Sequence, residues 1–311
     1  MQLVRYMVNG AARLGAVESD AVVDMIAGCA HAGIAAPADA LAAAADPACA
    51  AAIRTARRQV PEAIVDASEQ ELELLVPIGQ PGKILALAAN YASHAVEVGE
   101  AARDKRVSVP HVFPKLPSTL VGTGAPIVIP PISDAVDYEV EIAAVIGSRA
   151  SGVDEARALD HVAGWMIFND ITARRVSFPR RPEPPEDDAF WDFLYGKWCD
   201  GFAIAGPYLV TRDELPDPSE RMMELRVNGD IRQRARVGEM TFDVAEAIAF
   251  ISTICALERG DVVTMGTPAG IGEMGAGFLQ PGDLVEASIE GLGALRNAVV
   301  ATSETVFSPR T

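Results

Sequence analysis

Residues 137–147 read DYEVEIAAVIG. In an extended chain successive side chains alternate between faces. Glu139 and Glu141 therefore share one face, about 7 Å apart along the backbone, while Val140 and Ile142 face the other way. The run is wholly apolar after Glu141, so it heads into a core, and two carboxylates beside it repel each other and lose hydration together. Solvent, arginine partners or a hard divalent cation can relieve that conflict. On the E-x-E pattern alone, an edge strand with its acidic face in water is the favoured reading. A cation site needs a third oxygen ligand. Asp170 is the best candidate, at the end of WMIFND (165–170), where a strand runs out into a loop.

The surrounding chain is of the same kind. ILALAANY (84–91), APIVIP (125–130), YEVEIAAVIG (138–147), AIAGPYLV (203–210), MELRVNG (223–229), DVVTMGT (261–267) and DLVEASIEGLG (283–293) are short β-rich runs bounded by Gly, Pro or Asp. Two helices stand out: residues 154–161 behind the cap Asp154, and 243–257 opening on Asp243 with Glu246 three residues later. Many strands and few helices predict a sandwich or barrel, not a doubly wound sheet. No G-x-G-x-x-G opens a helix, and there is no P-loop and no internal repeat.

Upstream the pattern changes. Residues 2–8 and 13–18 read as strands joined at Asn9-Gly10, and 38–58 is an alanine-rich helical stretch. Pro77, Pro81 and Gly82 mark a boundary. The expected organisation is a small N-terminal α/β domain at 1–75 and a larger domain at 76–311. Another segment stands apart: 175–196, RVSFPRRPEPPEDDAFWDFLYG, rich in proline and charge but carrying Phe190, Trp191, Phe193 and Tyr195. It reads equally as a solvated loop or as a lid over a ligand.

The 311 residues hold 26 Lys plus Arg against 43 Asp plus Glu, a formal net charge of −17. Such a surface repels phosphate backbones and anionic membranes, so nucleic-acid and membrane partners are not expected. The four cysteines, Cys29, Cys49, Cys199 and Cys255, form no C-x-x-C pair and suggest no disulfide framework. The N-terminus has no signal-peptide h-region, and no apolar run reaches the roughly 18 residues of a membrane span. A cytoplasmic location is expected.

A charged small molecule then needs local receivers. In NYASHAVE (90–97), His94 and Glu97 are neighbours on a helical turn. Glu97 can accept from one imidazole nitrogen and leave the other as a base. An ordinary surface pair is the commoner case for an isolated H-x-x-E. Lys115, Lys197 and Arg174 are candidate cations, each equally readable as a solvated charge. Thr267, in the GTPAG turn (266–270), offers a hydroxyl and nearby amides to a carboxylate.

In order and spacing these pieces resemble the fumarylacetoacetate hydrolase family. The resemblance rests on N-Y-x-x-H-x-x-E (90–97), F-x-K-x-x-S (113–118), D-Y-E-x-E (137–141), F-N-D-x-T-A-R (168–174), G-K-x-x-D (196–200), V-N-G (227–229) and G-D-V-x-x-x-G-T-P-A-G-x-G (260–272). It implies an α+β, predominantly β fold, a mixed β-sandwich roll, assembled as a homodimer. It also implies a divalent metal, Mg²⁺ with Mn²⁺ or Ca²⁺ as alternatives, on Glu139, Glu141 and Asp170. His94 and Glu97 would be the base pair, and Lys115 and Lys197 would steady negative charge. Arg174, Thr267 and Tyr91 would bind the substrate, a small anionic 2-oxo acid. The implied reaction is hydrolysis of a carbon–carbon bond in a 2,4-dioxo acid of the acylpyruvate type, in aromatic or sugar-acid catabolism. Decarboxylation or enol–keto isomerisation of a 2-oxo diacid, such as oxaloacetate or a 2-hydroxymuconate-type acid, uses the same ligands. A non-catalytic metal-binding protein is the third reading. One departure stands out: where many relatives continue A-R-D-x-Q, this chain has A-R-R-V-S, with Arg175 and Ser177 in those places.

Overall fold

The computed structural model describes residues 1–18, 21–65, 72–99, 101–178, 181, 185 and 188–302. Two sheets dominate. The larger runs, strand by strand, Ala21–Asp24, Ala11–Glu18, Gln2–Val8, Ala203–Thr211, Val162–Asp170, Val140–Ile146, Val262–Thr264, Ile84–Ala88 and His111–Lys115. The smaller comprises Asp230–Arg236, Met222–Val227, Leu284–Ile289, Gly293–Val300 and Ile127–Val128. The architecture is the expected mixed sandwich, and it is not a barrel. No helix among the described residues is long and apolar enough to cross a membrane.

The strand Val140–Ile146 is buried along its whole length because both of its faces are covered. Val140, Ile142, Ala144 and Ile146 pack with Trp165 and Ile167 against Leu225, Ala287 and Leu295 of the smaller sheet. Ala143, Val145, Met166 and Phe168 pack on the opposite face against Met25, Cys29, Leu41 and Ile53. The last four belong to the N-terminal helical layer. The change of chemistry at Glu141 thus marks the place where helical cover stops and the site begins. Strands from residues 2–24 extend the large sheet across the expected boundary near residue 75.

The sheet is also rolled. His111–Lys115 lies four strands along from Val162–Asp170, some 19 Å away if the sheet were flat. Yet Lys115 Nζ is 2.7 Å from Asp170 Oδ1. Only a curled sheet brings those two strands together, and the twist of successive strands supplies the curl.

Local signals behave as their chemistry dictates. Asn9 and Gly10 have φ of 51° and 76°, the left-handed pair of a tight hairpin between Gln2–Val8 and Ala11–Glu18. The alanine-rich stretch is two helices, Ala40–Ala45 and Pro47–Gln59, capped by Asp39 and Asp46. Val244–Ile254 carries the full Asp243/Glu246 capping box. The helix expected over 154–161 is Glu155–Ala158, continued by a 3₁₀ turn to His161. Asp230–Arg236 has the polar sequence DIRQRAR, which hides a strand whose outward face is charged. The 175–196 segment ends in a helix, Ala189–Lys197, and residues 179–180, 182–184 and 186–187 of the lid candidate lie outside the described residues.

Candidate active site

Glu139, Glu141 and Asp170 converge where the large sheet emerges from its helical cover, with one oxygen of each within 4.8 Å of the others. Glu139 and Glu141 are 7% and 1% exposed, and Asp170 is fully buried. Glu139 Oε1 accepts from Arg174 Nη2 at 2.6 Å and from Thr172 Oγ1 at 3.2 Å, and its Oε2 accepts from Lys197 Nζ at 2.9 Å. Asp170 Oδ2 accepts from the same Lys197 ammonium at 2.7 Å. Glu141 differs. Its Oε2 accepts from the Thr264 hydroxyl and, at 2.7 Å, from the Gly266 N–H, and no ion pair among the described residues reaches it.

The electrostatics follow from these partners. Burial raises the Glu139 carboxyl, but Lys197, Arg174 and His94 more than reverse this, holding it at about 2. Burial pushes Glu141 well above the usual carboxylate range, and Asp170 and Glu139 push it further. Burial lowers the Lys115 ammonium more than Asp170 raises it. For Lys197 burial is outweighed by Asp170 and Glu139, and it stays charged more firmly than a free lysine.

Two features test whether a metal fits. Asp170 Oδ1 is buried with no hydrogen-bond partner. Lys115 Nζ lies 2.7 Å from that oxygen, an electrostatic contact whose angles are not those of a hydrogen bond. Lys115 spends its protons instead on the carbonyls of Ile171 and Phe202, at 3.2 and 2.9 Å. Glu141 therefore has no ion-pair partner among the described residues, and Asp170 Oδ1 has an ammonium beside it but no hydrogen bond. An all-carboxylate oxygen set suits Mg²⁺, Mn²⁺ or Ca²⁺, so the residues present fit a hard divalent cation.

His94 and Glu97 sit on the helix Ala92–Glu97, with Nδ1 and Oε2 3.5 Å apart and side chains 13% and 20% exposed. Gly270 N–H donates to the other Glu97 oxygen at 2.9 Å, which fixes the carboxylate. Lys197 is placed by its helix. A Cβ on Gly196 would lie 2.1 Å from the Ala173 carbonyl oxygen, so only glycine lets the helix press this close to the strand Thr172–Arg174. The ammonium then lies 5.3 and 5.7 Å from the ring centres of Phe113 and Phe193, within cation–π range.

Three expected substrate contacts have side-chain polar atoms engaged within the protein. Tyr91 is fully buried and its hydroxyl donates to the Val237 carbonyl at 3.0 Å. The core claims it, because a buried phenol must find an acceptor. Arg174 is engaged by Asp137, Glu139 and Glu273, so it braces a ligand instead of reaching outward. The Thr267 hydroxyl donates to the Val140 carbonyl at 2.9 Å and accepts from Gln233 at 2.8 Å. Its main-chain N–H makes no hydrogen bond within the protein among the described residues and remains a donor for an anion. Of the lid aromatics, Phe193 packs on Phe113 with ring centres 5.0 Å apart, while Phe190 and Trp191 are 61% and 49% exposed. Arg175, at φ 50°, stacks 4.9 Å over Phe278.

Sequence reasoning missed Asp137, Thr264 and Gln233. Asp137 accepts from the N–H groups of Tyr138, Gly272 and Glu273 and from Arg174, anchoring the loop beside the site. The alternation of DIRQRAR, with Gln233 and Ala235 on the buried side, is the signal that would have found Gln233.

A sequence model described as Fumarylacetoacetate (FAA) hydrolase C-terminal matches residues 83–300. A protein of Pyrococcus abyssi is 41% identical over 222 residues, covering 71% of this chain and 92% of that one. The structure of maleylpyruvate hydrolase from Sphingobium sp. SYK-6, in complex with manganese(II) and pyruvate, has a TM-score of 0.74 at 26% identity, covering 97% of this chain and 100% of that one. A 5-carboxymethyl-2-hydroxymuconate delta-isomerase from Mycobacterium smegmatis has a TM-score of 0.70 at 28% identity, covering 98% and 100%. The motifs quoted from the sequence, the rolled sandwich and the buried acidic triad agree with these matches: the chain belongs to the fumarylacetoacetate hydrolase family.

Proposed function

We propose that the protein hydrolyses a carbon–carbon bond in a 2,4-dioxo acid of the acylpyruvate type. The observation that carries this reading is the buried Glu139–Glu141–Asp170 cluster, whose Glu141 has no ion-pair partner among the described residues and which is flanked by two buried lysines. A divalent cation held by these three carboxylates, Mg²⁺ with Mn²⁺ or Ca²⁺ as alternatives, supplies Lewis-acid polarisation of a 2-oxo acid. The remaining chemistry belongs to the chain. His94, oriented by Glu97, takes a proton from water, and the resulting hydroxide attacks the distal carbonyl. Lys115 and Lys197, already engaged with Asp170 and Glu139, add positive charge beside the developing oxyanion. The bond between the attacked carbon and the methylene carbon breaks, releasing a carboxylic acid and the enol of pyruvate. Protonation of the methylene carbon then gives pyruvate. The Thr267 N–H anchors the substrate carboxylate, and Arg174 holds Glu139 in place. The relative solved with manganese(II) and pyruvate supports the pairing of metal and product.

The isomerase among the neighbours favours a second reading, in which the same ligands serve enol–keto isomerisation or decarboxylation of a 2-oxo diacid. The Mg²⁺-loaded protein offered an acylpyruvate and oxaloacetate separates them. Acid release from the first is the expected result. Pyruvate from the second, with the first untouched, refutes the hydrolase.

A further inference from the structure

Gln233 is a buried polar side chain that the proposed chemistry does not use. It lies on Asp230–Arg236 of the smaller sheet and is 1% exposed. Its Oε1 accepts from the Val140 N–H at 3.0 Å. Its Nε2 donates to Thr267 Oγ1 at 2.8 Å and to the Pro268 carbonyl at 2.9 Å. The Thr267 hydroxyl donates in turn to the Val140 carbonyl at 2.9 Å. These bonds close a ring around residue 140, the residue between the two ligand glutamates, and tie it to the 266–270 turn. The same turn gives its Gly266 N–H to Glu141 and its Gly270 N–H to Glu97.

Space alone does not explain a glutamine there. Its cross-strand partner is Leu225, and Ala235 shares its face; both are apolar. The amide uses its acceptor and both of its donor positions, and its orientation is fixed, since exchanging O and N would set donor against the Val140 donor and acceptor against the Pro268 acceptor. The turn also rests on this strand by its main chain: a Cβ on Gly270 would lie 2.0 Å from the Arg232 carbonyl oxygen. Two sheets therefore meet at one side chain, at the level of the ligands.

We propose that Gln233 is a positioning residue: it locks the 266–270 turn to the ligand strand, so that the turn's N–H groups and the two glutamates keep one spacing toward a bound cation and anion. The inference rests on the metal-dependent 2-oxo acid reading and adds to it a residue that touches neither.

The test uses the full chain, Mn²⁺ alone, and then oxalate on the Mn²⁺-loaded protein, both followed by calorimetry. Gln233→Met keeps the length and removes every bond. Gln233→Glu keeps the shape and the Val140 contact but loses both donors. Each is expected to bind oxalate about 10- to 100-fold more weakly, as outer partners of metal sites do, with an unchanged circular dichroism spectrum. Thr267→Val is expected to lose oxalate affinity and Thr267→Ser to retain it. The double variant Gln233→Met/Thr267→Val should fall within about twofold of the worse single variant, because both break one ring. Losses that multiply overturn the coupling through Thr267, and unchanged oxalate affinity in Gln233→Glu overturns the proposal. If Gln233→Met does not fold, Gln233→Glu with the Thr267 pair decides the question. Wild-type protein that holds Mn²⁺ but no oxalate refutes the 2-oxo acid reading and the inference with it, whereas unaffected variants refute only the role of Gln233.

Discussion

Glu141→Gln separates the metal site from the fold that carries it. The Glu141 carboxylate is buried, receives only a hydroxyl and one N–H, and shares its space with Glu139 and Asp170. Without a cation, holding that charge or taking up a proton to neutralise it opposes folding, which is why burial raises the Glu141 carboxyl. An amide of the same shape keeps an oxygen for both donors and removes the charge. The metal-free variant should therefore be more stable than metal-free wild type, by about 2 kcal/mol, the order at stake when an unpaired buried charge is left or removed. Metal reverses the ranking. At a Mn²⁺ concentration of 100 times Kd, binding stabilises the wild type by about 2.7 kcal/mol. At roughly 2 °C per kcal/mol for a chain of this size, the wild-type melting temperature rises by ~5 °C. The variant should show no such rise. Calorimetric melting of both proteins in chelator and in MnCl₂ gives all four temperatures. A variant that gains the same Mn²⁺ stabilisation as wild type refutes Glu141 as a ligand. A variant less stable than wild type in chelator refutes the argument that its charge is uncompensated.

Three further outcomes follow from other contacts. His94→Ala should slow hydrolysis by about 10²- to 10⁴-fold while Mn²⁺ affinity is retained; steady-state kinetics beside calorimetry checks both, and an unchanged rate removes His94 as the base. Arg174→Met leaves the fully buried Asp137 with main-chain donors only and should cost about 3–5 kcal/mol in urea unfolding, as breaking a buried pair does; wild-type stability would show that Asp137 does not depend on its arginine. Gly196→Ala sets a methyl group 2.1 Å from the Ala173 carbonyl oxygen and should displace Lys197, lowering turnover by about 10²-fold or more as the loss of an oxyanion donor does; full activity would show that Lys197 is not needed where the structure places it.

What was legible in the sequence was local. Glu139 and Glu141 share a face because strand periodicity is two, and that needs no tertiary information. Asp170 was legible as a strand end, and Asp243 with Glu246 as a cap. What was hidden depends on distant pairing. Lys115 meets Asp170 only because the sheet curls, and curl accumulates over strands far apart in sequence. Lys197 arrives on a helix that follows a proline- and charge-rich stretch, whose composition hides the helix. Tyr91, Arg174 and Thr267 lie near the site as their motifs imply, but their polar atoms are claimed by Val237, Asp137 and Val140. Motif position does not reveal which partner wins. Gln233 sits on a strand whose charged outward face masks a buried inward one.

The charges at the site bear on the order in which ligands enter. Asp137, Glu139, Glu141 and Asp170 bring four carboxylates to one buried region, against the three cations Lys115, Lys197 and Arg174. Fully ionised, this set is net negative inside a protein whose formal charge is already −17. An anionic 2-oxo acid gains little by entering it. One divalent cation reverses the local sign, and it does so in a region of low dielectric where the change acts strongly on a neighbouring anion. Metal should therefore precede substrate. By linkage the dependence runs both ways: whatever factor Mn²⁺ adds to oxalate affinity, oxalate must add to Mn²⁺ affinity. Titrating Mn²⁺ with and without saturating oxalate, and oxalate with and without Mn²⁺, measures that factor twice. Equal factors well above one fit a cation that makes the pocket receptive, whereas oxalate bound equally well without metal would assign the anion to the lysines alone.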